Sequence, residues 1–258
     1  MAILGDSFIE AYQVEREETL AARLEPRLPG VEAFEFGRSA HSITRQIAIL
    51  DMLPRLLADE RGPDLPDIVA FQIHGPFSFR QALADEVLRP ALWRRALIYG
   101  INLVRIPSRI VAAVKASVLG RLVEPTTELM AEADRVMDRG HRSDVGEQGW
   151  AVLDRSVRQL ADRARALRIR PVFFYLPMFD DLWQESAATD PGIPARRFRD
   201  MARRAGADFV DLTGDFRRAI AAGEKPLHFP RDNHLTPLGH EVAARGLAAA
   251  LRPMLEGR

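Results

Sequence analysis

Five short apolar runs, separated by stretches of helical periodicity, constrain this chain more than any other feature. They are AILG (2–5), VEAFEF (31–36), DIVAFQI (67–73), PVFFYLP (171–177) and DFVDL (208–212). DIVAFQI is continuous rather than alternating, the pattern of a strand buried on both faces. Between the runs, REETLAARLEPRL (16–28) sets Leu20, Leu24 and Leu28 on one helical face and stops before Gly30. ITRQIAILDMLPRLL (43–57) reads as a helix interrupted at Pro54. In 143–167, Trp150, Leu153, Val157, Leu160 and Ala164 recur at helical spacing and read as core. The last helix opens at LTPLGHEVAARGLAAAL, with Thr236 as N-cap and Pro237 at the first helical position. Strands alternating with helices predict an α/β fold, a five-stranded parallel sheet with helices on both faces. At 258 residues the chain has enough length for one sizeable core, and residues 1–258 are expected to form a single domain.

The third and fourth runs lie too far apart for an ordinary crossover, which predicts a helical insertion at about 78–148. Within it, residues 88–122 carry Arg89, Arg94, Arg95, Arg105, Arg109, Lys115 and Arg121 and no acidic residue. Three readings fit: a cap over the site, a helical hairpin with a solvated basic face, or a peripheral membrane contact. Trp93, Tyr99 and several leucines would give the segment its apolar contacts. The formal net charge of the whole chain is +0, so no global field recruits nucleic acid. There is no cysteine, which excludes disulfides, thiolate catalysis and cysteine zinc sites. No run is long and apolar enough to span a bilayer. The sequence as it stands points to the cytoplasm. The shortness of AILG leaves room for a preceding segment, and with it for export or membrane association.

In a parallel sheet of this kind, functional groups lie at the carboxyl ends of the strands. Ser7 follows the first run directly, in Gly5-Asp6-Ser7-Phe8. A serine in such a turn is either a nucleophile or a local cap. Nucleophilic chemistry further needs a base, a group that orients the base and donors for an oxyanion. Asp232 and His234 stand two apart just before the last helix, close enough for the carboxylate to hold one ring nitrogen and leave the other for a serine proton. His41 and His74 follow the second and third runs and are candidate site-lining groups. His228 reads as a surface residue of the approach loop, and His240 as a helix residue facing core or solvent. His141 lies in a polar loop. A metal set of His74, His228, Asp232 and His234 matches no zinc spacing, and neither a metal nor a cofactor is expected.

These blocks make the chain resemble the SGNH/GDSL hydrolase superfamily over its length, the insertion apart. GDSF (5–8) resembles the block whose serine is the nucleophile. FGRSAHS (36–42) resembles the block whose glycine lends a backbone N–H to the oxyanion hole, here Gly37. DNHLTPLGH (232–240) resembles the last block, with the Asp-x-His spacing of the branch related to polysaccharide O-acetylation proteins. PVFFYLP and FVDLTGDF resemble the fourth and fifth strand regions. The resemblance implies a three-layer, flavodoxin-like fold and ester hydrolysis or acyl transfer. One block departs: where the family has Gly-x-Asn-Asp after the third strand, this chain has QIHGPFSF (72–79), and its two asparagines, Asn102 and Asn233, lie elsewhere. His74 is the candidate replacement donor, with Gly75 beside it and Gln72 a weaker candidate within the strand. Asp6 is expected to shape the turn by bonding nearby backbone N–H groups.

The expected activity is a serine esterase or deacylase using Ser7, His234 and Asp232 on a small ester or an acylated glycan or lipid. An O-acyltransferase acting on a glycan would use the same residues. A non-catalytic protein on the same fold is the third reading, prompted by the missing asparagine.

Overall fold

The computed structural model describes residues 1–39, 41–61, 65–75, 78–79, 144–179, 182, 192–230 and 232–256. Residues 80–143, which hold the basic segment 88–122, Asn102 and His141, and most of 180–191 lie outside the described residues. Five strands, β1 (Ala2–Gly5), β2 (Phe34–Gly37), β3 (Ile68–Ile73), β4 (Arg170–Tyr175) and β5 (Asp208–Asp211), form one sheet in the order β2-β1-β3-β4-β5. Every pairing is parallel. The chain therefore reverses its winding direction at β1, between β2 and β3. Crevices at such a switch point, outside the carboxyl ends of the strands, are where α/β sheets place their sites.

The helices cover both faces, as the three-layer fold requires. α3 (Ile43–Arg61), α4 (Asp144–Ala166) and α5 (Gly192–Arg204) bury Leu50, Leu53, Leu57, Leu153, Val157, Leu160 and Phe198 against one face. That face presents Leu4, Val69, Phe71, Phe173 and Tyr175. The other face presents Ile3, Ile68, Ala70, Val172 and Phe174 to α1 (Ser7–Glu10), α2 (Leu20–Leu24), α6 (Thr213–Ala221) and α7 (Pro237–Glu256). Every residue of β3 is buried, so its continuous apolar run reflects two packed faces.

Two local expectations need correction. The helix expected over 16–28 is broken into two 3₁₀ turns, Arg16–Glu18 and Glu25–Arg27, on either side of α2. Thr19 is extended (φ −69°, ψ 165°), which ends the first turn, and Pro26 cannot donate a backbone hydrogen bond to continue the helix. The second strand begins at Phe34 rather than Val31 and runs on to Gly37. Pro54 lies inside α3 without ending it. At the start of α7 the cap is as expected: Gly239 N donates to Thr236 Oγ1 at 3.1 Å.

Candidate active site

Ser7 sits where β1 gives way to the single turn of α1. Asp6 builds this turn: its Oδ1 accepts from Phe8 N at 3.0 Å, and its backbone N–H donates to Gln72 Oε1 on β3 at 3.1 Å. The short carboxylate thus satisfies a backbone donor that the helix start would otherwise leave open. Gly5 is needed for the same turn, since a Cβ there would meet Ile9 Cγ1 at 2.3 Å and Gln72 Oε1 at 2.7 Å. Ala11 closes α1 in the left-handed region (φ 51°).

The Asp-x-His pair belongs to a tight loop. Phe229 N donates to His234 O at 2.8 Å, and Thr236 N donates to Leu227 O at 3.0 Å. Asn233 between the pair has φ 60°, a left-handed conformation that asparagine tolerates better than most residues. With the chain reversed there, both the backbone N–H of His234 and its ring reach one carboxylate oxygen. His234 N donates to Asp232 Oδ1 at 2.8 Å, and His234 Nδ1–H donates to the same oxygen at 2.8 Å. An ionised carboxylate only accepts, so the proton lies on Nδ1 and Nε2 is left as an acceptor. Ser7 Oγ lies 2.8 Å from that Nε2 and donates to it. Side chains 227 residues apart in sequence are thereby joined in one chain of hydrogen bonds. The Asp232 side chain is 44% exposed and that of His234 is 22% exposed. Desolvation pushes the Asp232 carboxyl up, but the His234 backbone N–H, its ring and Gln13 outweigh this and hold it below the ordinary value.

The residues expected around an oxyanion are placed as follows. Gly37 ends β2 beside Gly5 of β1, so its backbone lies at the same sheet edge as Ser7. It also has a packing reason to be glycine. A Cβ there would stand 2.1 Å from Glu10 N and 2.3 Å from Ile9 C, the backbone of α1 itself. Gly37→Ala is therefore expected to destabilise the protein by ~3 kcal/mol, because no rotamer change relieves a clash with backbone. Urea unfolding measures this. An alanine that left stability unchanged would leave oxyanion donation as the only reason for the glycine. Gly75 is buried, with space for a Cβ filled by Tyr175 Oη at 2.7 Å. His74 is also buried, and its Nε2–H donates to Asp6 Oδ2. That nitrogen is turned to the carboxylate below Ser7. Gln72 lies within β3 with its side chain on Asp6 N.

His228 and His240 have their own settings. His228 is buried, a correction to the surface position expected for it, and its Nε2 hydrogen-bonds Pro177 O at 3.1 Å. Its ring packs 5.8 Å from that of Phe216. His240 is buried in the first turn of α7. Among the described residues no group of three or more His, Asp or Glu side chains is arranged to hold a metal. No helix of the described residues is long and apolar enough to cross a membrane.

Three residues escaped the sequence reading. Gln13 Nε2 approaches Asp232 Oδ2 at 3.4 Å, the Phe8 ring lies 4.9 Å from that of His234, and Gln46 Nε2 donates to Gln72 O at 3.2 Å. Only Phe8 left a signal, being part of the GDSF block.

Residues 142–257 match the family described as "SGNH hydrolase-like domain, acetyltransferase AlgX". Among curated proteins none matches by sequence. Several solved structures share the fold over nearly the whole chain. A member of the lipolytic protein G-D-S-L family from Veillonella parvula is 10% identical, with a TM-score of 0.51 and 97% of each chain covered. TesA is 14% identical, with a TM-score of 0.53, covering 98% of this chain and 97% of its own. The acetyl xylan esterase AlAXEase is 15% identical, with a TM-score of 0.53, covering 97% of this chain and 100% of its own. At such identities the likeness to these structures is one of fold, and the family match adds the sequence of the carboxyl-terminal part. Together with the 2-1-3-4-5 parallel sheet, they show that the chain has the fold of these structures and that residues 142–257 are similar in sequence to an SGNH hydrolase-like domain.

Proposed function

We propose that the protein is a serine-dependent hydrolase of O-acyl esters, with Ser7 as nucleophile, His234 as general base and acid, and Asp232 as the group that orients the ring. One observation carries this reading: Ser7 Oγ, His234 Nε2, His234 Nδ1 and Asp232 Oδ1 are linked by two hydrogen bonds of 2.8 Å each. Nucleophile, base and orienting acid stand in the order that serine acyl transfer requires.

The chemistry runs in two halves. Ser7 Oγ attacks the ester carbonyl carbon while its proton passes to His234 Nε2. The carbonyl oxygen becomes an oxyanion, for which the backbone N–H groups of Ser7 and Gly37 are the proposed donors. His234 Nε2–H then protonates the leaving alkoxide, and an acyl-Ser7 ester remains. A water molecule gives a proton to the same nitrogen and attacks the acyl carbon. The tetrahedral intermediate collapses, Ser7 Oγ recovers its proton, and a carboxylic acid is released. Asp232 accepts from Nδ1–H throughout and stabilises the imidazolium between the halves.

A second reading is acetyl transfer, favoured by the match of residues 142–257 to a family described as an acetyltransferase. It shares the first half and replaces water by a glycan hydroxyl in the second. The acetyl xylan esterase among the structural neighbours makes an acetylated glycan a reasonable acyl donor for either reading.

The test is covalent labelling. A fluorophosphonate is expected to modify Ser7, located by peptide mass spectrometry, and to abolish hydrolysis of p-nitrophenyl acetate in parallel. Folded protein that neither labels nor turns over the ester would turn the assignment toward a non-catalytic member of the fold. Acetate appearing on an added polysaccharide in competition with water would select the transferase.

A further inference from the structure

His74 stands at the carboxyl end of β3, where the family resemblance expects an asparagine, yet its ring is buried. Its side chain is 1% exposed, and that of its partner Asp6 4%. His74 Nε2–H donates to Asp6 Oδ2, while the other carboxylate oxygen caps Phe8 N at 3.0 Å. The Asp6 backbone N–H is held by Gln72 Oε1. The residue immediately before Ser7 is therefore tied down through both its side chain and its backbone. The residue immediately after Ser7 touches the same imidazole. The Phe8 ring lies 5.0 Å from that of His74 and 4.9 Å from that of His234. His74, Phe8 and His234 thus form a run of three ring contacts, with Asp6 closing the link back to the Ser7 turn.

We propose that His74 is a positioning residue: it holds Asp6 by a hydrogen bond and Phe8 by ring contact, and through them fixes the Ser7 hydroxyl against the His234 ring. The inference rests on the Ser7–His234 reading above. Buried polar groups with partners are costly to disturb, so this network is stiffer than a solvated turn. Stiffness matters here because a displacement of about 1 Å at a reacting group can cost about 10²-fold in rate. The alternative role, a direct donor to the oxyanion, requires the ring to serve the cleft, whereas its Nε2–H is already given to Asp6.

Two isosteric substitutions separate the roles. The side-chain nitrogen of glutamine falls near the Nε2 position of histidine and reaches Asp6. That of asparagine falls near Nδ1 and does not. Each variant is assayed for kcat and KM with p-nitrophenyl acetate and for the fluorophosphonate labelling rate at Ser7, with folding checked by circular dichroism. His74→Gln is expected to keep kcat and labelling within about 5-fold of wild type. His74→Asn is expected to lower both by about 10²-fold while KM stays within about 2-fold. Rescue by glutamine and a loss confined to kcat are not what general loosening of the core would give. Asparagine matching or exceeding glutamine would overturn the proposal and assign His74 to the oxyanion. Wild-type activity in both variants would overturn it as well. Wild-type protein that does not label at Ser7 would instead bring down the Ser7–His234 reading, and this inference with it.

Discussion

Ser7→Ala is expected to lower kcat for p-nitrophenyl acetate by ~10⁴-fold or more, with KM changed by no more than a few-fold. In the proposed mechanism the alanine removes the atom that forms the covalent bond to the acyl group. The oxyanion donors proposed above are backbone N–H groups and survive the change. Nucleophile knock-outs in serine hydrolases keep a residual rate from such groups, so the floor lies above uncatalysed hydrolysis. The fold is expected to be indifferent, because Ser7 Oγ is partly buried and the Phe8 N–H is capped by Asp6 rather than by Ser7. Equal thermal midpoints for the two proteins check that point. His234→Ala should cost about as much, and the double variant little more than either, because the proposed mechanism joins both residues in one proton transfer. Turnover by Ser7→Ala at the wild-type rate would remove the serine mechanism altogether.

What the sequence made legible follows the physics of each element. Parallel strands buried on both faces announce themselves as continuous apolar runs, and β3 is buried at every residue as its composition demands. That Ser7, Asp232 and His234 come together was legible because each stands in a short polar motif beside a strand end or helix start, set off against apolar flanks. The side chains behind them were not. His74 follows an apolar run in a way equally suited to a cleft-lining donor and to a buried partner of Asp6. Only the fold, by setting β3 next to β1, shows which acceptor lies within reach. Gly37 has the same ambiguity. Its N–H is a proposed oxyanion donor and its missing Cβ a packing need, and the packing need appears only once α1 is seen to pack on it. His228 was misjudged as a surface residue because a loop histidine carries no periodicity. The bridge between His228 and Leu235 that turns it inward is a tertiary pairing. The break at Thr19 was likewise invisible in a pattern of leucines that fits an unbroken helix.

Stability is expected to fall as pH drops from about 6.5 to about 4, through His228 and His240 rather than through His234 and Asp232. Burial lowers both from 6.5 to about 4. For His228 the hydrogen bond to Pro177 O works in the opposite direction and is outweighed. For His240 the nearby Arg23 cation and His234 add to burial. Below pH 6.5 the unfolded chain takes up protons on these rings that the folded protein refuses, so unfolding gains favour with each step of acidification. The loss stops growing once the pH passes about 4, where the folded rings protonate too. At full effect each ring is worth on the order of 3 kcal/mol. Glu35 opposes the trend. Burial raises its carboxyl, against the Ala21 N–H and Thr19, which lower it, while Glu25 adds to the rise. Its protonation on acidification therefore favours the folded state, and it offsets part of the histidine loss. Asp232, held below its ordinary value, adds only at the acid end of the range, and its exposure to solvent keeps that addition small. Urea unfolding at pH 7, 5.5 and 4.5 measures the slope. His240→Leu, which removes one titrating ring from a buried position, is expected to cut that slope by about half while leaving ester turnover at pH 7 intact. A slope unchanged by His240→Leu would move the acid sensitivity to other groups, and a stability independent of pH across this window would contradict the burial of both rings.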